Sequence, residues 1–302
     1  MSHFPTLFNI VWKGHVLNPL WQSRDCRRAR RGAVTREAVL RYLDRHMKPV
    51  SLRPAPEPEP EEQRHVWTLW LQGIQQAPAI VRRCIASQEK LSATLHVLDL
   101  KQILGLIQLP PYILEKWEKG RIRPAHFADI CRVQLLYQYG GVWADATDYF
   151  HQDLPPWLWE QDFFVYLSGK HLQGSYAGIQ NCFIRARKGN TLLGAWRDAI
   201  FQYWERESSA LDYFIHQQLL LWVVRHNAQA ASLFEKMPQL EQDPTHVLWF
   251  QKGGEAYRPE VVDQVCAQAL FQKTEYKSSL AQNPPAGSIA AWLQLPLNSN
   301  GQ

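Results

Sequence analysis

Tyr137-Gln138-Tyr139-Gly140-Gly141-Val142-Trp143-Ala144-Asp145-Ala146-Thr147 reads as the end of a helix, a paired-glycine break, a short buried strand and a carboxylate at the strand's exit. Glycine often follows the last helical turn because it tolerates left-handed backbone, and so short an apolar run between turn signals favours a strand. In an open α/β sheet ligands bind beyond the carboxyl ends of the strands, so Asp145 is placed to hold a metal or a sugar nucleotide. Capping of a turn is its structural alternative. If the strand continued, Asp145 and Thr147 would share a face and Asp148 would point away; Asp148 joins them only if the chain turns. Upstream, residues 124–139 are expected to be helical, with Asp129 and Arg132 one turn apart on a mostly apolar surface. Two such charges need partners, either each other at i,i+3 or a ligand.

Working outward, His65 to Gly73 (HVWTLWLQG) reads as a buried strand leading into a glycine turn, followed by a helix from Pro78 to Glu89 and a strand over Ala93 to Leu100. Strand, helix and strand in succession imply a parallel pair with a crossover, hence an α/β domain with a mostly parallel central sheet. Further strands are expected at 163–167 and around 181–184, and helices at 191–205 and 211–226. Asp212 and His216 lie four apart on the second of these, where they can orient each other, bind metal or form a surface pair.

The Pro/Glu-rich stretch Ser51 to Arg64 (SLRPAPEPEPEEQR) reads as an extended linker. It divides a basic helical module (1–50) from the main domain (65–302). In the module, Thr35 can cap a helix whose Val39, Tyr42, Leu43 and Met47 form one apolar stripe. Residues 1–64 hold 12 Lys/Arg against 7 Asp/Glu, and the remainder 21 against 21, so the net charge of +5 belongs to this segment. Its run Arg24, Arg27, Arg28, Arg30 and Arg31 fits either a solvated basic face docked on the main domain or peripheral contact with anionic lipid. Neutrality of residues 65–302 argues against a nucleic-acid partner.

Five cysteines with no C-x-x-C pair form no complete disulfide framework and point to a reducing compartment. The N-terminus is a poor signal peptide and no run reaches the roughly 18 apolar residues of a membrane span, so a cytoplasmic location is expected. P-loop, dinucleotide-fingerprint, nucleophile-elbow and H-E-x-x-H motifs do not occur in the sequence. Thirteen tryptophans suit a thick core or stacking surfaces for sugars and bases.

The segment ADICRVQLLYQYGGVWADAT (128–147) resembles the capsular polysaccharide synthesis protein family and related glycosyltransferases of the GT-A fold. Their usual pattern is S-D-I-L-R, then L-Y-x-Y-G-G, then a D-x-D-like turn. Ala128 replaces the serine and Thr147 the second aspartate. The resemblance implies a GT-A-like domain that moves a hexose from a nucleoside diphosphate sugar to a hydroxyl of a glycan or lipid-linked glycan acceptor, of capsular or lipopolysaccharide type, with retention of configuration. It implies Mn²⁺ or Mg²⁺ on the diphosphate, held by Asp145 and Thr147. Asp129 and Arg132 would contact the donor. Trp70, in a W-x-x-G with Gly73, would stack on the base, and Asn181 in GIQNCFIRA would contact the transferred sugar. Lys277, in the K-x-x-x-K of QKTEYK, would cover the phosphates, and Glu275 would approach the metal. The residues alone leave Trp70 equally a core side chain, Asn181 a turn residue and Lys277 part of a solvated cluster. A non-catalytic carbohydrate-binding or scaffold protein is the alternative function.

Overall fold

A computed structural model describes residues 24–57, 64–168 and 178–295, with side chains from residue 34 onward. The arginines at 24, 27, 28, 30 and 31 and most of the Glu/Pro run at 58–63 therefore lie outside the described side chains or residues.

The sheet that positions the site has five strands, in the order β2-β1-β3-β6-β5. These are β1 (His65–Leu69), β2 (Thr94–Leu98), β3 (Gly141–Ala144), β5 (Phe163–Leu167) and β6 (Ile179–Ala186). β1 pairs parallel with β2 and β3, β6 pairs antiparallel with β3, and β5 pairs antiparallel with β6. Four strands thus run one way and β6 alone runs against them, giving the expected mostly parallel α/β sheet. A separate ribbon joins β4 (Asp148–Tyr149) to β7 (Gln272–Lys273), with Asp148 directly opposite Lys273.

Helix α1 spans Arg24–His46, α2 Ala79–Gln88, α3 Leu100–Leu106 and α4 Pro111–Glu118. They are followed by α5 (Pro124–Tyr139), α6 (Thr191–Arg206), α7 (Ile215–His226), α8 (Ala228–Lys236) and α9 (Pro259–Cys266). α5 starts with proline at its first position, where the lost N–H costs nothing. It is buried nearly all round, which matches a sequence apolar on every face. Gly140 ends it with φ 69°, and Gly141 follows at φ 101°. A Cβ on Gly141 would lie 2.6 Å from the His65 carbonyl oxygen. The paired glycines therefore let the chain leave the helix and come directly beside β1.

Thr35 lies inside α1 and caps nothing, because the Arg/Ala-rich stretch before it already consists of good helix formers. The expected stripe is real. Val39 and Leu43 are wholly buried with Met47 in the same core as Leu219, Leu220 and Trp222 of α7. Burial of each such side chain is worth about 1.5–3 kcal/mol. Trp222 Nε1 donates to Asp44 at 3.0 Å and Tyr42 Oη to Glu207 at 2.5 Å, which fixes the helix's orientation. The described part of the linker, through residue 57, has no regular secondary structure. No helix among the described residues is long and apolar enough to cross a membrane, and Cys84, Cys131, Cys182 and Cys266 are buried free thiols.

Candidate functional site

β1, β2 and β3 are parallel, so their carboxyl ends share one edge of the sheet, where Trp70, Asp99 and Asp145 emerge. Asp99 is spent on capping α3. Asp145 is built into a charged network. Its Oδ1 accepts from Trp143 Nε1 at 2.9 Å and pairs with Arg132 Nη2 at 3.1 Å, while its Oδ2 takes Lys273 Nζ at 2.8 Å. Arg132 also reaches Asp129 Oδ1 at 3.0 Å, donates from Nη1 to the Asn181 carbonyl, and lies over the Trp143 ring, 5.1 Å from its centroid.

After Asp145 the strand does not continue. The Asp148 N–H donates to the Asp145 carbonyl at 2.9 Å, closing a turn that brings Asp148 back into the cluster. Its Oδ2 accepts from the Asp145 N–H at 3.1 Å and its Oδ1 takes Lys273 Nζ at 2.9 Å. Gln88 of α2 clamps the turn from behind, donating to the carbonyls of Asp145 and Asp148 at 3.0 and 3.2 Å. Asp145 and Thr147 consequently do not share a strand face. The Thr147 carbonyl instead accepts both the N–H and the hydroxyl of Thr274, at 2.8 and 2.9 Å.

Burial sets the electrostatics. It would raise the Asp129 carboxyl, but the Arg132 charge and the His216 hydrogen bond outweigh it and hold the group at about 2. Burial opposes the Arg132 charge, yet Asp145 and Asp129 keep its guanidinium above the ordinary range. Asp145 likewise sits below the usual carboxylate range because Arg132 and Lys273 overcome burial. Asp148, wholly buried, is pushed up by desolvation against the pull of Lys273.

His216 is wholly buried on α7. Its Nε2 receives the Trp204 indole N–H at 2.8 Å, and an indole can only donate. The ring proton therefore sits on Nδ1, 3.2 Å from Asp129 Oδ2. The His216 partner is thus Asp129, whereas Asp212 accepts from the Phe214 N–H and Gln218 Nε2. α7 begins only at Ile215, so Asp212 precedes the helix and the expected helical i,i+4 pair does not form.

Asn181 lies within β6 rather than ahead of it, and its Oδ1 accepts from Gln217 Nε2 at 3.0 Å. Asn181 Nδ2 and Arg132 Nε are buried with no partner among the described residues. Buried donors of this kind are costly unless water or a ligand satisfies them. Trp70 is half-buried against the apolar cluster that holds Ile80, Ile85 and Leu248, edge-on to Tyr276 at 5.1 Å, with no partner for its Nε1 among the described residues. Gly73 has φ 82° and open space where a Cβ would be, so backbone conformation accounts for the glycine. Lys277 is exposed, its Nζ 5.1 Å from the Tyr276 ring centroid, and Glu275 accepts from the Ser278 N–H. The lysine inside the cluster is Lys273, the first of the same K-x-x-x-K.

The structure thus gathers Asp129, Arg132, Asp145 and Asn181 as one unit, leaves Trp70 and Gly73 one strand over at the same edge, and sets Lys277 outside the ion-pair network. Sequence reading missed Lys273, Gln88, Gln217 and the indole of Trp143. The only signal for Lys273 was the lysine spacing itself.

A family model described as "Capsular polysaccharide synthesis protein" matches residues 22–289. The chain belongs to this family. It is similar to a protein named "Glycosyltransferase afumC" from Aspergillus fumigatus, 27% identical over 173 residues, covering 52% of this chain and 44% of that protein. It is also similar to "O-glycosyltransferase PaGT" from Phomopsis amygdali, 25% identical over 195 residues, covering 57% and 44%. The matched region spans less than half the length of these relatives. Among solved structures, "PaToxG Glycosyltransferase" aligns over 70% of this chain and 84% of its own, at 13% identity and a TM-score of 0.36.

Proposed function

We propose that the protein is a GT-A-like glycosyltransferase, moving a hexose from a nucleoside diphosphate sugar to a hydroxyl of a glycan or lipid-linked glycan. The observation that carries the proposal is the Asp129–Arg132–Asp145 network at the carboxyl edge of the sheet, beside the unspent amide of Asn181. Family membership and the glycosyltransferase names of the relatives support the same class. In this reading the anomeric carbon–oxygen bond breaks with its electron pair leaving on the diphosphate, a bond forms to the acceptor oxygen, and the hydroxyl proton passes to the departing phosphate oxygen. Arg132, held rigid by two carboxylates, offers fixed positive charge to the leaving group, and such preorganised charge needs no reorganisation during reaction. Asp129, oriented by His216, offers acceptor capacity to sugar hydroxyls, and Asn181 Nδ2 offers a donor. Trp70 stacks on the base, with Gly73 allowing the turn beside it. Lys277 covers the phosphates from its exposed position. Retention at the anomeric carbon, implied by the resemblance, belongs to the same proposal.

Among the described residues no three His, Cys, Asp or Glu side chains gather as a metal centre. A hard cation nevertheless suits carboxylate oxygen, and Asp145 Oδ2 has Lys273 Nζ as its one partner among the described residues. In this reading Asp145, with Thr147, would hold Mn²⁺ or Mg²⁺, phosphate and water supplying the other ligands. When bound, the ion would neutralise charge on the leaving diphosphate.

Calorimetry with a panel of nucleotide sugars, with and without Mn²⁺, tests the reading on wild type and Asp145→Ala. Donor binding that falls at least about ten-fold in the variant, a loss of about 1.4 kcal/mol, is expected. A folded wild type that binds no donor would favour the non-catalytic scaffold.

A further inference from the structure

Lys273 occupies a place in the cluster that the proposed reaction does not use. The β4–β7 pairing sets it opposite Asp148, and its Nζ bridges Asp145 Oδ2 and Asp148 Oδ1 at 2.8 and 2.9 Å. Its side chain is 17% exposed, and that of Asp148 not at all. The other oxygen of each carboxylate is already engaged by buried groups: Trp143 Nε1 and Arg132 on Asp145, a backbone N–H on Asp148. An oxygen ligand holds Mn²⁺ or Mg²⁺ at about 2.0–2.2 Å. A divalent ion on Asp145 Oδ2 would then stand within a few ångströms of the Lys273 ammonium, and the two cations repel strongly in a site shielded from water.

We infer that Lys273 is a resident counter-ion that competes with a divalent cation for Asp145, so that the metal enters only as the ammonium is displaced. This rests on the metal-assisted reading above. It adds that the two carboxylates are bridged by the chain's own cation before any donor arrives. The displaced ammonium, still tethered at β7, becomes a second positive group beside Arg132 for an anionic ligand.

The test uses Mn²⁺ alone with the full chain, read by loss of the free-ion paramagnetic resonance signal. Lys273→Met should bind Mn²⁺ at least about ten-fold tighter than wild type, and adding Asp145→Asn should abolish the gain. Binding that is equal or weaker in Lys273→Met, yet lost in Asp145→Asn, refutes the competition and leaves the metal reading standing. Absence of binding in both wild type and Lys273→Met refutes the two together. A second measurement needs no variant: amine acylation of wild type, followed by mass spectrometry, should find Lys273 protected without metal and labelled several-fold faster once Mn²⁺ saturates, with exposed Lys277 unchanged. An unaltered Lys273 rate at saturating Mn²⁺ overturns the inference even if Lys273→Met does not fold.

Discussion

Arg132→Met removes the cation on which the buried carboxylate of Asp129 and the partly buried one of Asp145 depend. Arg132 pairs with Asp129 at 3.0 Å and Asp145 at 3.1 Å from a position only 5% exposed. Removing one partner of a buried pair costs about 3–5 kcal/mol, because the remaining charge stays desolvated. Two carboxylates are affected here, yet Asp145 keeps Lys273 and Trp143 and Asp129 keeps His216, so the same range applies. With an unfolding entropy of about 2.1 cal/mol/K per residue, the melting temperature should fall about 5–8 °C. Urea unfolding at pH 7.5 and 4.5 is the assay. In wild type the Asp129 carboxyl is held at about 2, below its unfolded value, so its stabilisation is present above that unfolded value and lost as pH falls toward 2. In the variant burial acts with less opposition, the carboxyl takes up its proton at higher pH, and the gap between the proteins should narrow at pH 4.5. Arg132→Met/Asp145→Asn should recover part of the loss. A deficit below about 1 kcal/mol, or one equal at both pH values with no recovery in the double variant, would refute the ion-pair account.

Gly141→Ala should cost about 3 kcal/mol or more, since φ 101° is strained for any L side chain and the new Cβ meets backbone at 2.6 Å; Gly105→Ala, in α3 with open space around it, should be neutral or stabilise by about 0.5–1 kcal/mol in the same thermal scans. His246 is pushed down to about 4 by burial and then by the Lys273 charge. Its unfolded form therefore binds a proton first, and stability should decline between about pH 6.5 and 4 with a slope approaching 1.4 kcal/mol per unit. His246→Gln should flatten that slope, and an unchanged profile would show that the ring titrates normally.

Local signals were enough for part of the elements: α1 begins well before Thr35, α7 begins at Ile215 rather than 211, and α3, α4, α8, α9 and the β4–β7 ribbon were not read from the sequence. The Pro124-to-Gly140 frame bounded α5 to the residue, Phe163–Leu167 was legible as a strand from its unbroken apolar run, and β1, α2 and β2 followed from strand, helix and strand in sequence. Asp145 was legible because a carboxylate after a buried strand has few structural uses. What local pattern does not carry is pairing between distant segments. The β4–β7 ribbon joins residues about 125 apart, so Lys273 did not show itself as a partner of Asp145, whereas Asp148 came in by the turn that the sequence had left open. The Asp212–His216 spacing suggested a helical pair, but α7 starts after Asp212, and His216 pairs with Asp129 of α5 instead.

By itself the sequence determined the α/β class, the helix-glycine-strand unit and the placement of Asp129, Arg132 and Asp145 on it, since helix ends, strand alternation and glycine backbone freedom act over a few residues. Only the tertiary structure decided which charges neutralise one another. Desolvated carboxylates accept the cations that the chain's long-range pairing brings within about 3 Å, and that choice fell on Arg132 and Lys273 rather than Lys277.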